Sequence, residues 1–405
     1  MIPVFPPKPP LSQALGLLRY GGSGRLRQMM AALALTALAA PVLASPSSPA
    51  TPPPSACKPE QQLHWRGGSF RFENDLIAGT DRNYTNGVAL TLVSHDIPGR
   101  LQPQCLPRLL GLYAGLLGRL NPGFWDRAGG EAVAQNVVLR VGQAMYTPEN
   151  RSRTDLIVDD RPYAGLLYVG MAWNRRAHPQ GARHEKLDTR ELTLGIIGPA
   201  SLARQSQNLI HDLRGIDRFR GWDNQLRGEP AFQFVLERKL KPYVEGAIRP
   251  GWSSDAIAAY GLRLGNIETA ASAGLELRAG WNIPNDFGSY PIRPGAENRP
   301  PSATVAPRGA QQPATAAPRA GVHAFANLEV KAVAWDFSLD GNLFRSSHSV
   351  RRQPWVAQAA VGLSAQWPLA NHRLRLALMR VWRTREFAGQ HGHHAFGSIS
   401  LSMDF

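Results

Sequence analysis

The sequence predicts an all-β chain: a transmembrane antiparallel β-barrel of about twelve strands with short helices in its loops. Three observations carry this. The last ten residues, FGSISLSMDF, put Gly397, Ile399, Leu401, Met403 and Phe405 on one side and Ser398, Ser400, Ser402 and Asp404 on the other. A strand places successive side chains on opposite faces, and a wet face beside a greasy face ending on an aromatic suits the closing strand of a lipid-embedded barrel. In the second segment, Trp355, Ala357, Ala359, Val361, Leu363, Ala365 and Trp367 share one face while Gln358, Ser364 and Gln366 lie opposite. Its twelve steps of ~3.3 Å, tilted by ~40°, project to about 30 Å, close to an apolar band with an aromatic girdle at each edge. Third, alternation of this kind recurs along the whole chain.

Taken in order, Met29 to Ala44 (MMAALALTALAAPVLA) is the one candidate for a spanning helix, and it is shorter than the ~20 residues a bilayer requires. Arg25 and Arg27 precede it and Val42-Leu43-Ala44 ends it, so it reads as a secretory signal peptide cleaved after Ala44, with residues 1–28 an over-extended start. Residues 45–67 are a Pro/Ser-rich tether, and the barrel occupies 68–405. Strands are expected near 69–75, 84–94, 135–145, 164–174, 190–198, 230–240, 242–253, 268–282, 322–337, 354–367, 371–383 and 394–405. An even count puts both termini on the periplasmic side. Residues 76–83, 146–163, 199–229 and 384–393 then face outward, and 95–134 and 283–321 face the periplasm. The run LPRLLGLYAGLLGRLNPGFW within 106–125 is amphipathic, either a helix on the inner membrane-facing rim or a helical insert. Residues 296–321 are low-complexity and expected to be disordered.

Composition narrows the setting. The net charge of +15 comes almost wholly from Arg, which suits a phosphate-covered surface, and an exported chain does not reach nucleic acid. Cys57 and Cys105 are exported with the rest, so they form a disulfide or are two tolerated thiols.

Polar density peaks near the outer ends of the first, second and fifth strands. Alternation places Ser69, Arg71, Glu73 and Asp75 inward with Thr85, and Phe70 and Phe72 toward lipid. Asn86-Gly87 is a turn signal, so Asn83–Gly87 has a plain hairpin as its alternative reading. After strand five, Ser201 is placed to cap a short helix carrying Leu202, Leu209 and Ile210 near one side. His211 falls near the end of that helix, before Asp212 and Asp217, in an outward loop able to fold back over the lumen.

The segments ENDLIAGTDRNYTNG, GQAMYTPEN, DDRPYAGLLY, GIIGPASLARQSQNLIHDLRG and GWDNQLRGEP, in this order from about residue 68 to 283, resemble the outer-membrane lipid A 3'-O-deacylases of the LpxR type. The resemblance implies a barrel of a Gram-negative outer membrane whose site lies in the wall near the outer leaflet. It further implies hydrolysis of the ester bearing the 3'-acyloxyacyl group of lipid A, with Ca²⁺ as cofactor. Matched position by position, Asn74, Asp75 and Thr85 correspond to family site residues and His211 to its catalytic histidine. Asp75 and Asp217 stand as metal ligands. Where relatives carry Lys after the YTP-like motif, Arg151 and Arg153 are offered to the substrate, and Arg holds phosphate or carbonyl but cannot act as a base. The substrate is lipid A within lipopolysaccharide among outer-membrane lipids, and a monomer is expected.

The chemistry is coherent on its own terms. Ester hydrolysis needs a nucleophile, a base and a positive field where the oxyanion forms. His211 can deprotonate water, oxygen ligands such as Asp75 can hold Ca²⁺, and Asn74 or Thr85 can position water or donate to the oxyanion. The rivals are a phospholipase with a Ser-His dyad, for which no G-x-S-x-G elbow exists, and a non-enzymatic barrel. His391, His393 and His394 cluster in the last outer loop, as a metal scavenger or a solvated loop.

Overall fold

A computed structural model describes residues 62–75, 83–98, 105–121, 124, 132–179, 181–244, 248–289, 300–301, 319–370 and 372–405. Residues 1–44, expected to be a signal peptide and its extension, most of the expected tether, residues 76–82 and nearly all of 296–321 lie outside the described residues.

The strands are β1 (Trp65–Asn74), β2 (Asn83–Ser94), β3 (Ala132–Thr147), β4 (Ala164–His178), β5 (His184–Ile197) and β6 (Glu229–Pro242). They continue as β7 (Trp252–Gly265), β8 (Glu268–Trp281), β9 (Gly321–Asp336), β10 (Trp355–Leu369), β11 (His372–Arg383) and β12 (His394–Asp404). A two-residue strand, Ile97–Pro98, adds to β3. Each strand pairs antiparallel with the next, and β1 pairs with β12 from Gly67↔Asp404 to Asn74↔Gly397, so the sheet closes without an edge. Among the described residues three α-helices lie in the connections: α1 (Arg108–Leu120), α2 (Ala203–Arg214) and α3 (Phe337–Asp340). No helix among the described residues is long and apolar enough to cross a membrane.

The alternation read from the last strand sorts as expected, with Ser398, Ser400 and Ser402 buried inside and Ile399, Leu401 and Met403 exposed outside. On β10, Gln358, Ser364 and Gln366 are buried while Trp355, Val361 and Leu363 are exposed. One strand is displaced. The seventh was expected at 242–253, but β7 runs Trp252–Gly265, and the predicted stretch contains Pro242 and Pro250, which cannot donate to a ladder. Its alternation has little contrast, because Ser254, Ala256 and Ala258 face outward while Ile257 is buried inside. Residues 337–354, not assigned to any loop in advance, form a further connection at the end of the barrel opposite the termini, the far end.

The interior is filled. At the terminal end the segment 283–289 inserts into the lumen: Phe287 lies 5.2 Å from the Arg176 guanidinium and 4.8 Å from the Lys241 ammonium. Asp286 pairs with Arg278 and, at 2.9 Å, with Arg375. At the far end, Phe337 of α3 meets the Tyr146 ring at 5.5 Å. Between these plugs remains a cavity of about 90 Å³, bordered by Tyr146, Tyr168, Glu268, Lys331, Arg383 and Glu386. Helix α1 does not enter the lumen. It packs Leu110, Tyr113, Ala114 and Leu117 against Val137 and Trp173. Val137 shares its side of β3 with the exposed Val141, so α1 covers the outside of the wall near the terminal end. Cys105, just before α1, is disulfide-bonded; the chain's other cysteine, Cys57, is outside the described residues.

Candidate active site

The site is built on the outside of the wall at the far end. Register runs Asn74↔Asn86, Asn86↔Met145 and Met145↔Gly165 across β1 to β4. Directly opposed residues share a face. On β3 and β4 that face also carries Val141 and Val169, both exposed, whereas Ala144, Tyr146, Leu166 and Tyr168 border the inner cavity. The row therefore looks toward lipid.

Onto this row folds the connection between β5 and β6. Gly198 opens it at φ +95, where a Cβ would lie 2.7 Å from the Arg227 carbonyl carbon. A turn over Pro199–Ser201 follows, then Leu202 in the left-handed region as N-cap of α2. Ser201 is thus not the cap expected of it. Its hydroxyl donates to the Gly198 carbonyl at 2.6 Å, and its own carbonyl accepts from Gln143 at 2.5 Å. A Cβ on Gly165 would sit 2.1 Å from Ser201 Oγ and 2.5 Å from the Ala203 Cβ, so only glycine admits the loop this close.

Helix α2 buries Ala203, Gln207 and His211, spaced i, i+4, i+8, and leaves Leu202, Leu209 and Leu213 exposed. This inverts the pattern of a helix in water, and it suits one lying between a polar pocket and lipid. Met145, Tyr163, Ala203, Phe219 and Trp222 pack together beneath it, with the Trp222 indole donating to Gln207 at 2.6 Å. The loop carrying His211 consequently covers the outer face of the wall rather than the lumen.

His211 is buried, its ring 5.6 Å from that of Phe219. Its Nδ1 lies 2.7 Å from the Asp217 backbone carbonyl. A carbonyl only accepts, so Nδ1 is the donor and Nε2 is the ring nitrogen left to take a proton in the neutral imidazole. The Asp217 side chain is exposed; its backbone is the part that touches His211. Arg218 donates to Asp212 at 2.7 Å, bracing this turn and holding the Asp212 carboxyl below its ordinary range.

Asn74 and Asp75, at the far end of β1, are both buried. Asn86 is buried opposite Asn74, and its side-chain oxygen meets no donor among the described residues. Asn86-Gly87 lies within β2, which removes the hairpin reading of Asn83–Gly87. Thr85 sits where the β2–β3 register shifts between Tyr84 and Asn86, so simple alternation does not carry through it. Tyr84 is fully buried and donates to Glu73 at 2.7 Å; the Thr85 side chain is outside the described residues. Arg151 and Arg153 occupy the neighbouring loop. The Arg151 carbonyl accepts from the Arg220 backbone at 2.9 Å, the Thr154 carbonyl accepts from Asn224 at 2.8 Å, and exposed Arg153 pairs with Asp155. Asn74, Asp75, His211 and both arginines thus stand at one end of the barrel. Among the described residues no group of three or more His, Cys, Asp or Glu forms a metal cluster. A hard cation here would rely mainly on amide, hydroxyl and carbonyl oxygens, which Ca²⁺ accepts.

The family model for "Outer membrane protein LpxR" matches residues 29–405. The chain belongs to the LpxR family. Among solved structures, LpxR from Salmonella typhimurium is similar at 17% identity and TM-score 0.57, covering 84% of this chain and 100% of that one. The β domain of the Bordetella autotransporter BrkA is similar at 10% identity and TM-score 0.42, covering 84% of this chain and 99% of that one. No curated protein matches. The likeness to the Salmonella LpxR supports the closed antiparallel barrel, and membership in the LpxR family places the chain in the outer membrane. For this LpxR-family chain, sequence reasoning missed Asn86, Gln207, Phe219 and Trp222. Asn86 was masked by its turn-forming neighbour Gly87. The other three could have been found only by knowing that the polar side of α2 faces inward.

Proposed function

We propose that this outer-membrane barrel is a lipid A deacylase that hydrolyses the ester carrying the 3'-acyloxyacyl group. The observation that supports it most is the placement of His211. A buried imidazole with Nδ1 committed to a carbonyl sits on a helix pressed, at Gly165 and Met145, against the same lipid-facing row that carries Asn86 and Asn74. A substrate held in the outer leaflet meets such a site without leaving the membrane.

In this reading His211 Nε2 takes a proton from a water, which adds to the ester carbonyl. The tetrahedral intermediate collapses, the fatty acid leaves, and the proton passes to the sugar oxygen. The Asp217 carbonyl keeps the ring in its base tautomer and stabilises the imidazolium formed in between. Asn74 or Thr85 orients the water or donates to the oxyanion, and Arg151 and Arg153 face the phosphorylated headgroup. The donors present suit Ca²⁺: Asp75 with the unpartnered Asn86 oxygen would hold it. When bound it supplies Lewis-acid polarisation of the carbonyl. Asp217 contributes through its backbone in this account, its carboxylate being turned to solvent.

The Ser-His rival needs Ser201 to leave the Gly198 carbonyl that its hydroxyl now binds. The test separates the two: chelation stops a Ca²⁺-dependent deacylase and spares a serine enzyme, while serine-directed reagents do the reverse.

A further inference from the structure

At the far end, but on strands remote from His211, the lipid-facing wall carries a shallow, largely open depression. It is bordered by Val330, Trp355, Ala357, Thr384, Arg385 and His393. Register places Val330 opposite Ala357 and Ala332 opposite Trp355, so small side chains form the floor between larger ones. Below it the exposed Leu328, Val361 and Leu363 continue the apolar wall. Above it two loops are joined as a fixed rim. Gln353 donates to the Glu386 carbonyl at 2.7 Å, Ala388 to the Arg351 carbonyl at 2.9 Å, and Thr384 to the Ala357 carbonyl at 2.9 Å.

The charge on this rim is uncompensated. Glu386 is committed to Arg383 at 2.9 Å and Arg161 at 3.5 Å, and Asp340 to Arg352 at 2.8 Å. Arg385 makes no ion pair among the described residues, and exposed His393 stands near it. The three histidines anticipated as a cluster do not converge, since His394 is buried in β12 while His391 and His393 are exposed. A tryptophan at the interface, an apolar floor below and a cationic lip above match an amphiphile with an anionic head.

We propose that this groove is a second, non-catalytic seat for a phosphorylated glycolipid of the outer leaflet. Arg385 and His393 take the phosphate, the Thr384 hydroxyl, whose oxygen accepts from the Ala357 amide at 3.0 Å, donates its proton to a sugar oxygen beside the Gln353 side-chain amide, and an acyl chain lies along Trp355, Ala357 and Val330. The seat stands on geometry separate from the hydrolytic site and does not depend on it.

The test counts lipids retained by the purified full chain in native mass spectrometry after incubation with bisphosphorylated lipid A. The His211→Ala chain is expected to keep one lipid more than the same chain with Arg385→Glu or, separately, with Trp355→Ala. Heat-modifiable electrophoretic mobility verifies that each variant is a folded barrel; Arg385 is exposed, so its reversal leaves the wall intact. An equal count in all three chains overturns the proposal. So does equal retention of phosphatidylethanolamine, or displacement by excess inorganic phosphate alone. Cleavage of lipid A by the His211→Ala chain would count against the hydrolytic reading while leaving the lipid count interpretable.

Discussion

At the scale of single residues, groups that the sequence presents side by side do different work in the proposed reaction. His211→Ala is expected to lower deacylation by about 10²–10⁴-fold, the usual worth of a positioned base, read as released fatty acid from lipid A. Asp217→Asn is expected to keep most of that activity, because the carbonyl bound to Nδ1 remains. A loss matching that of His211→Ala would show that the carboxylate itself is required. Asp75→Ala is expected to remove both activity and the response to added Ca²⁺ with the barrel still folded. Retained Ca²⁺ stimulation would exclude it as a ligand. His211 and Asp75 were legible as candidates because rare chemistry in an ordered set of motifs stands out even without coordinates. Asn86 was not, since an Asn before Gly ordinarily announces a turn, and only the register opposite Asn74 shows it inside a strand.

At the scale of elements, α2 and the strand beneath it act as one device. The helix approaches the wall only because Gly165 has no side chain, so Gly165→Leu is expected to displace α2 and abolish hydrolysis. Overpacking of this kind costs about 1–3 kcal/mol, too little to unfold a closed barrel, and heat-modifiability should persist. An active Gly165→Leu enzyme would mean that α2 need not touch the wall. The strands were readable wherever serine or glutamine alternates with aliphatic residues, as in β10 and β12. They were unreadable in β7, where both faces carry small residues. The face on which α2 sits was also hidden, because a leucine-bearing side points inward in water and outward in lipid, and sequence alone does not name the solvent around a loop.

At the scale of the whole molecule, the barrel is a scaffold that turns its chemistry outward. Its lumen is closed by the 283–289 segment from one end and α3 from the other, so planar bilayers holding the protein should show no stable conducting steps. Porin-like steps would contradict the plugged interior. The 283–289 plug is tied to the wall by ion pairs, and Asp286→Ala, which strips Arg278 and Arg375 of a partner, is expected to cost about 3–5 kcal/mol. The polarity of the lumen thus serves stability, and the proposed reactive polarity lies on the lipid side beneath α2.

The most direct measurement is mass spectrometry of lipid A from outer membranes of cells expressing this chain or its His211→Ala variant, both folded and supplied with Ca²⁺. The account predicts lipid A lacking its 3'-acyloxyacyl group in the first and intact lipid A in the second. Intact lipid A from both, or the same trimmed lipid A from both, would contradict it.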